Sequence, residues 1–472
     1  MAGGTNWLKD TNGEVVTTTL LGKMLTLAVN KFLLLDQEGM GIEMDGGRPG
    51  WNDAMNGLPG LFGSGMPETM ELARLLGFLC DCFTNDEVTE DVELPKELAE
   101  LMEKLEGILK ERDGLSPFAY WDKAATLREE FRAGIAFTVS GEKTKVPAAN
   151  IGRLLTNCLA VTGQGIEKAW KLGNGIMPTY LTYEAVAYEE RKNEDGSAYI
   201  TPYGLPGVAV SEFVCHIVPP FLEGPVKMMA SVPGMVAEKK EMFQAVKESD
   251  IYDKKLKMYK TSGSIESVSM EHGRVRAFTP GWLERESVFL HMEYKYLLGL
   301  LRAGLVEEYY EAMKDALIPF QNPEIYGRST LENSSFLASS ANPDEKVHGR
   351  GFVARLSGST TEMVSMWIYM FLGEGGFKMQ NGALSFVLEP KLADWLFDEN
   401  GEAAFVLLSR CKVVYKNPAK KNTFGTDGVG VSEMKLFFAD GTETLVQGNE
   451  LCTEHAENLR NGNIVKIEAT CR

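Results

Sequence analysis

The chain has 472 residues, 44% of them hydrophobic and 24% charged, so it is long and apolar enough to bury a sizeable core. Its 66 acidic and 48 basic residues give a formal net charge of −18. This balance argues against a nucleic-acid-binding or anionic-membrane surface, because such surfaces need clustered lysine and arginine.

The cysteines, seven in number, include no CxxC pair. This spacing indicates neither a zinc site nor a disulfide framework. The first residues lack the charged-then-apolar pattern of an export signal, and no apolar run approaches the roughly 18 residues of a membrane span. We therefore expect reduced thiols in a cytoplasmic protein that has no membrane partner.

Apolar residues at helical spacing predict a series of helices joined by loops that contain glycine and proline. The first predicted helix follows a threonine start, in TTLLGKMLTLAVNKFLLLD (18–36). Further helices are predicted over 67–83, 94–112, 119–135, 148–172, 234–248, 286–303, 305–316 and 359–373. Alternation of apolar and polar residues predicts strands over 179–190 and 210–217.

After residue 400 the pattern changes to β-branched residues alternating with polar ones around Asp-Gly and Asn-Pro turns. This pattern predicts a small β module at the end of the chain. No short internal repeat is present, so a solenoid is not expected. Long helices followed by β structure indicate an α-toroid with a β appendage.

A glycine-rich stretch, GGRPGWNDAMNGLPGLFGSG (46–65), carries Trp51, Asn52 and Asp53 at its centre. Sugar chemistry uses this grouping, because a carboxylic acid protonates a glycosidic oxygen, an aromatic face packs on a pyranose ring and an amide binds hydroxyls. The same residues are equally compatible with a long turn, which favours Gly, Pro, Asn and Asp for backbone reasons.

A second loop, RAFTPGWLERESVFLH (276–291), brings Trp282, Glu284, Arg285, Glu286 and His291 close in sequence. The histidine is either a catalytic group or a structural one at the start of a helix. The two glutamates are either functional or first-turn carboxylates that stabilise a helix N-terminus through its dipole.

The third loop, HGRGFVARLSGSTTEM (348–363), places His348, Arg350 and Arg355 ahead of the segment Ser357-Gly358-Ser359 and a predicted helix. Cations, small hydroxyls and free backbone N–H groups at a helix start suit an oxyanion such as phosphate. An ordinary Ser/Thr N-cap with surface arginines is the alternative.

Several familiar signatures are absent from the sequence: the GxxxxGK[ST] phosphate loop, HExxH, the GxSxG elbow and a strand–GxGxxG–helix unit. The five histidines include no pair four residues apart, so a histidine metal site has little support. We expect no metal and no cofactor other than a co-substrate.

The three loops, in this order, resemble motifs of the glycoside hydrolase family 94 phosphorylases, and especially of the long 1,2-β-oligoglucan phosphorylases. The matches are Trp51-Asn52-Asp53-Ala54, then Pro280-Gly281 with Glu284, Phe289 and His291, then Gly349-Arg350-Gly351 and Ser357-Gly358-Ser359. The segments NGIMPTYLTYEAVAYE (174–189) and PPFLEGPVKMM (219–229) are also similar to this branch, so the resemblance extends over nearly the whole chain.

The resemblance implies reversible, inverting phosphorolysis of β-linked gluco-oligosaccharides, with β-1,2 linkages expected, to α-glucose 1-phosphate, and inorganic phosphate as the co-substrate. It implies Asp53 as the general acid. The implied phosphate ligands are His291, Arg350, Ser357, Gly358 and Ser359, and the implied sugar-binding residues are Arg48, Trp51, Asn52, Trp282, Glu284 and Glu286. It further implies a mainly α fold, with an (α/α)6-toroid-type catalytic domain over 1–390 and a β-sandwich-like module over 391–472.

The chain departs from the family in two respects. Leu283 and the sequence Arg285-Glu286-Ser287 replace residues typical of cellobiose phosphorylases, which argues against cellobiose as the substrate. Family enzymes are also much longer, whereas about fifty residues precede Asp53 here. We therefore expect the chain to correspond to their C-terminal portion, with an incomplete barrel whose apolar surface associates with a missing N-terminal part or with a second copy.

Two other functions remain compatible with the sequence. An inverting glycoside hydrolase would use the same scaffold with Asp53 as the acid and Glu284 or Glu286 as the base that activates water. A truncated, non-catalytic protein would keep the sugar cleft and bind oligosaccharide without turnover. A requirement for phosphate separates the first of these from a phosphorylase, and binding without reaction identifies the second.

Overall fold

The computed structural model describes residues 7–46, 50–84, 88–353, 358–380 and 382–472. The chain divides into two compact units. The first contains Met1–Tyr252 and Thr261–Glu286, and the second contains Asp253–Lys260 and Ser287–Arg472. The domain boundary expected between residues 390 and 391 falls inside the second unit and stays a prediction.

The expectation of a mainly α toroid is wrong. The described residues are 42% helical and 22% strand, and they form 12 helices and six small sheets. Most of the additional strands have two to four residues, which is too short to produce a visible alternation in the sequence. The fold is therefore a mixed α and β structure in which short strands pair segments that lie between the helices.

The described residues of the first unit form seven α-helices. Thr19 caps the first of them by accepting a hydrogen bond of 3.0 Å from the N–H of Gly22, and Ser116 caps the fourth ahead of a proline at its first position. They are α1 (Leu20–Phe32), α2 (Met66–Thr84), α3 (Lys96–Glu111), α4 (Pro117–Gly134), α5 (Ala148–Leu172), α6 (Glu223–Ser231) and α7 (Val236–Glu248).

The core of the first unit is built from the apolar faces of these helices. Leu25 of α1, Leu79 of α2, Leu105 of α3 and Leu155 of α5 are fully buried in one cluster. The helix α5 is 25 residues long and buries one stripe along its length, as expected for an amphipathic helix against a core. Burial of each such leucine stabilises the fold by roughly 1.5–3 kcal/mol.

Glycine residues in α5 differ in what surrounds them. A Cβ atom added to Gly165 would lie 1.9 Å from the carbonyl oxygen of Gly39, so only glycine allows the turn at 37–41 to pack on this helix. A Cβ atom added to Gly163, two residues earlier, would meet no atom within 4 Å. The helix is therefore in tight contact with the turn on one side and open on another.

Two strands join the ends of the glycine-rich loop. The first unit contains β1 (Ile42–Glu43), β2 (Ser64–Gly65), β3 (Val92–Pro95), β4 (Lys143–Val146), β5 (Tyr180–Glu190) and β6 (Val208–Ile217). The sheet order is β1-β2-β5-β6, and β3 pairs with β4. Because β1 pairs antiparallel with β2, residues 44–63 form a loop that leaves and re-enters the sheet at the same place.

The second unit combines several sheets with five α-helices in the part of the chain that the structure describes. Its helices are α8 (Leu290–Arg302), α9 (Val306–Ala316), α10 (Pro323–Tyr326), α11 (Gly358–Leu372) and α12 (Thr453–Asn461). Helix α8 packs against α9 and α11. The strands β7 (Tyr252–Asp253) and β8 (Met258–Tyr259) form a two-stranded sheet. A three-stranded sheet has the order β11-β10-β9, and its strands are β9 (Val288–Phe289), β10 (Phe336–Leu337) and β11 (Gly351–Phe352).

The end of the chain is rich in strands. A five-stranded sheet has the order β14-β15-β19-β16-β17 and contains one parallel pair, β15 with β19. A three-stranded sheet has the order β12-β13-β18. The strands are β12 (Gly376–Gln380), β13 (Ala383–Val387), β14 (Glu402–Leu407), β15 (Cys411–Lys416), β16 (Val431–Phe438), β17 (Glu443–Gln447), β18 (Glu450–Leu451) and β19 (Ile464–Cys471).

Within the described ranges, none of the helices combines the length and the apolar character that crossing a membrane requires.

The two glycines of α5 provide a paired test of the contact between the helix and the turn. Gly165→Ala should lower the free energy of unfolding by ~1–3 kcal/mol, because the new methyl group overlaps a backbone carbonyl that cannot rotate away. Gly163→Ala should raise it by ~0.5–1 kcal/mol, because alanine favours the helix and meets no neighbour. Urea unfolding of both variants measures the difference, and equal effects would contradict this packing.

Candidate functional site

The loop between β1 and β2 is held against the segment 269–273 by two glycines. A Cβ atom on Gly57 would lie 1.8 Å from the carbonyl oxygen of Glu271, and one on Gly273 would lie 2.4 Å from that of Ala54. The N–H of Gly57 donates a hydrogen bond of 3.1 Å to the carbonyl of His272. The glycine content of this loop is therefore explained by close backbone contact as well as by turns.

Asp53 begins a short 3₁₀ turn, Asp53–Met55, and points its carboxylate toward solvent. Its side chain is 69% exposed, and Oδ2 lies 3.3 Å from Nη2 of Arg274. The arginine follows Gly273 directly, so the backbone contact between the two loops brings the opposite charges together. A surface pair of this kind contributes little to stability, about 0–1 kcal/mol, and leaves the carboxylate accessible to a ligand.

The neighbours of Asp53 point in different directions. The indole N–H of Trp51 donates a hydrogen bond of 2.6 Å to Glu223, and about two fifths of this residue is exposed. The carboxamide of Asn52 is buried, with 1% of the residue exposed, and neither of its polar atoms forms a hydrogen bond of normal geometry. Burial raises the pKa of the neighbouring Tyr180, and a weak interaction with Asn52 partly opposes the rise. Arg48 lies outside the described residues.

The loop that contains Trp282 forms a tight turn. The N–H of Trp282 donates to the carbonyl of Arg285 at 3.1 Å, and the N–H of Arg285 donates back at 3.3 Å. The intervening Leu283 has φ +52° and Glu286 has φ +57°, which are left-handed conformations that cost energy for residues with a side chain. The turn is held in place by its buried arginine.

Arg285 is buried, and both of its terminal nitrogens have partners, whereas its Nε has no hydrogen-bond partner among the described residues. Its Nη1 donates to the carbonyls of Arg276 at 2.8 Å and Phe278 at 2.9 Å, and its Nη2 is paired with Glu266. Glu286 is buried beside it, with Oε2 3.7 Å from Nε of Arg285. Arg285 therefore organises the turn rather than facing solvent.

The two glutamates of this loop do not stabilise a helix N-terminus. Helix α8 begins at Leu290, and the acidic residue of its first turn is Glu293. Glu284 is half-buried in the turn before β9. The sequence-based interpretation of Glu284 and Glu286 as first-turn carboxylates is therefore excluded, and their role in sugar binding stays a prediction.

In the second unit, His291 contacts the first residue of helix α11. A Cβ atom on Gly358 would lie 2.1 Å from Cε1 of the imidazole, so the helix starts directly against the ring. Nε2 of His291 lies 3.4 Å from Oε1 of Glu362, one turn into α11. Burial lowers the pKa of His291, nearby Lys295 lowers it further, and Glu362 acts in the opposite direction. The imidazole is therefore predominantly neutral at pH 7.

The other residues expected to bind phosphate are also in the second unit. Arg350 is exposed, and its guanidinium forms neither an ion pair nor a hydrogen bond with another described residue. Ser359 is fully buried in the first turn of α11. Ser357 and Arg355 lie outside the described residues. His348 is bonded on both ring nitrogens, to Lys255 at 2.8 Å and to the carbonyl of Asn342 at 2.8 Å.

The structure thus brings together two groups, one in each unit. In the first unit Trp51, Asn52 and Asp53 share the loop that faces Arg274, and Trp282, Glu284 and Glu286 share the next loop of that unit. In the second unit His291 and Gly358 are in contact. Sequence reasoning missed Arg274, Glu223 and Glu362, which are 221, 172 and 71 residues from their partners and carry no local signal.

Sequence reasoning also missed Glu293, two residues after His291. The carboxyl group is fully buried, and Oε1 accepts a hydrogen bond of 2.9 Å from the N–H of Tyr259, while Oε2 has no partner among the described residues. Burial raises the pKa of Glu293 well above its usual range, and the hydrogen bond from Tyr259 only partly opposes this. Burial therefore favours the neutral form of this carboxyl group.

Among the described residues, no group of three or more His, Cys, Asp or Glu side chains is arranged to hold a metal ion. A comparison of the chain with protein-family models finds no match, and neither does a comparison with curated proteins.

Two glycines of the 44–63 loop test the contact that holds Asp53. Gly57→Ala should lower the free energy of unfolding by ~1–3 kcal/mol, because its Cβ overlaps the carbonyl of Glu271. Gly60→Ala is the matched control, since a Cβ atom there meets nothing within 4 Å. Thermal unfolding measures both, and a Gly57→Ala protein as stable as the control would contradict the loop contact.

Burial of Glu293 predicts a pH-dependent effect of Glu293→Gln. Above the ordinary carboxyl pKa of 4.5 the unfolded chain releases a proton that the folded chain keeps, so the parent loses stability as pH rises. The variant, which has no proton to lose, should gain stability over the parent by up to ~1.4 kcal/mol per pH unit above that value. Unfolding free energies at pH 4 to 8 measure this, with exposed Glu324→Gln as the control; a constant difference would contradict it.

Proposed function

We propose that the chain is a glycoside phosphorylase that cleaves β-linked gluco-oligosaccharides, with β-1,2 linkages the first candidates, by attack of inorganic phosphate. The basis is the ordered set of motifs that resembles the family 94 phosphorylases, together with the local chemistry around Asp53 and His291. The proposal makes the enzyme a hexosyltransferase that works without a metal, in the cytoplasm, and associates with a second copy.

The observation that carries the proposal is the contact between Gly358 and the imidazole of His291. It sets a neutral imidazole beside the N-terminus of a helix of 15 residues, where the helix dipole favours an anion. Oε1 of Glu362 lies 3.4 Å from Nε2, so Glu362 acts as a positioning residue for the ring. Arg350 supplies an available cation on the same unit.

The general acid in this proposal is Asp53. Its exposed carboxyl group can reach a glycosidic oxygen, the ring of Trp51 offers an apolar face for a sugar, and Arg274 provides a charge that steadies the carboxylate formed after proton transfer. Positioned general acids accelerate such reactions by roughly 10²–10⁴-fold. No second catalytic carboxylate is needed, because phosphate is itself the nucleophile.

The reaction balances as a single displacement. A phosphate oxygen forms a bond to the anomeric carbon as the glycosidic C–O bond breaks, and the proton of Asp53 moves to the departing oxygen. The products are α-glucose 1-phosphate and an oligosaccharide shortened by one residue, with inversion at the anomeric carbon. In reverse, the acceptor hydroxyl returns its proton to Asp53 and phosphate leaves.

The acid is tested by phosphate release from α-glucose 1-phosphate with a β-1,2-linked glucose disaccharide as the acceptor. Asp53→Asn should reduce the rate by ~10²–10⁴-fold, since the amide cannot transfer the proton. Asp45→Asn is the matched control, because Asp45 also pairs with an arginine at 3.3 Å in the same unit. An Asp53→Asn protein as active as the control would remove Asp53 from the mechanism.

The same assay separates the alternatives. Release of glucose from the oligosaccharide without phosphate would indicate a hydrolase. Binding of the disaccharide without any reaction would indicate a non-catalytic sugar-binding protein.

The phosphate ligands are tested by steady-state kinetics with phosphate as the varied substrate. His291→Ala and Arg350→Ala should each raise KM for phosphate by ~10–100-fold, which corresponds to ~1.5–3 kcal/mol for a hydrogen bond to a charged group. His216→Ala is the matched control, because His216 is also a histidine paired with a glutamate, at 3.1 Å. Unchanged KM values for phosphate would contradict the assignment, whatever happens to KM for the sugar.

A further inference from the structure

A surface cavity of about 400 Å³ lies in the first unit, formed by the turn at 37–39, the end of α3, the start of α4 and one face of α5. The α5 residues that line it are Val161, Gln164, Gly165 and Lys168, whose spacing of three, four and seven positions places them on one side of the helix. The volume is within the ~300–1,000 Å³ typical of small-molecule sites.

Hydrogen bonds and close packing hold the walls of this cavity. The turn at 37–41 is fixed by the buried carboxylate of Asp36, which accepts hydrogen bonds from the N–H groups of Met40 at 2.8 Å and Gly41 at 2.7 Å. The missing side chain of Gly165 lets this turn rest on α5. On the opposite side, Arg112 lies over the ring of Tyr120, 5.6 Å from its centroid, and donates to Gln164 at 3.0 Å.

A polar atom in the wall lacks a partner. Gln37 lines the cavity with 5% of its surface exposed, and its Oε1 atom has no hydrogen-bond donor among the described residues. An unsatisfied buried carbonyl of this kind is unfavourable, and it marks the wall of the cavity as a place where polar groups are not fully paired within the described residues. Asp113, also in the lining, is exposed and forms no ion pair or hydrogen bond with the described part of the chain.

The charges in the lining cancel. Arg112 and Lys168 are positive, Glu38 and Asp113 are negative, and Lys168 is already paired with Glu38. A neutral lining of this kind does not favour phosphate or a metal ion over water. Burial raises the pKa of Tyr120 to about 12, so its hydroxyl keeps its proton at neutral pH.

We propose that this cavity binds a neutral, polyhydroxylated ligand, the end of a sugar chain. Hydroxyl groups both donate and accept, so they can donate to the exposed carboxylate of Asp113 and accept from the remaining N–H groups of Arg112. The ring of Tyr120 and the side chains of Leu115 and Pro117 offer apolar surface to the C–H face of a sugar ring. The site does not include Asp53 or His291 and does not depend on the proposed phosphorylase reaction.

The test uses a β-1,2-linked glucose trisaccharide as the probe, added to the full chain without phosphate. Hydrogen–deuterium exchange should show protection of peptides covering 36–41 and 112–120, apart from any protection of 50–57. Asp113→Ala should weaken the affinity of the cavity for the trisaccharide at least tenfold. This affinity is measured as the sugar concentration that gives half of the protection. Asp122→Ala is the matched control, an exposed aspartate on the neighbouring helix that does not line the cavity.

Several outcomes overturn the proposal of a sugar site. Protection confined to 50–57, equal affinities for Asp113→Ala and Asp122→Ala, or the same protection by inorganic phosphate alone would show that the cavity is not a sugar site. A protein that carries out phosphorolysis but shows no protection at 36–41 and 112–120 would lose this site and keep the proposed function. A protein that shows the protection but has no activity would keep this site and lose the proposed function.

Discussion

The buried carboxylate of Asp36 connects the main features of the first unit. Oδ1 accepts from the N–H groups of Glu38 and Met40, and Oδ2 accepts from the N–H of Gly41 at 2.7 Å and the hydroxyl of Ser64 at 2.6 Å. Burial raises the pKa of Asp36, while these hydrogen bonds oppose the rise. One side chain thus fixes the turn that walls the cavity and the strand that ends the loop carrying Asp53.

The helices could be predicted from the sequence, but the arrangement could not. The observed helix α5, Ala148–Leu172, has the predicted bounds, and Val306–Ala316 differs from its prediction by one residue. The toroid was wrong because helix periodicity does not report the two-residue strands that join distant segments, such as Ser64–Gly65. These strands pair through backbone groups that every sequence carries, and their side chains supply no pattern long enough to detect.

The candidate site, too, could be predicted from the sequence only in part. The motif around Trp51, Asn52 and Asp53 could be recognised in the sequence because its residue types suit sugar chemistry. Gly358, which contacts His291, could be recognised as part of a predicted phosphate-binding segment. The environment of each group was not visible, since it depends on residues such as Arg274 that are distant in the chain. Burial was also hidden: Asn52, which the sequence suggests for binding hydroxyls, is almost fully enclosed, whereas Asp53 beside it is exposed.

We propose that phosphate, and not water, attacks the anomeric carbon with inversion. The most direct measurement is a time course by phosphorus and proton NMR of the parent protein with phosphate and a β-1,2-linked glucose oligosaccharide. A phosphorylase forms α-glucose 1-phosphate as its first product, and this product should appear as inorganic phosphate is consumed. Appearance of the β anomer, or of free glucose while the phosphate signal stays constant, would contradict the proposal.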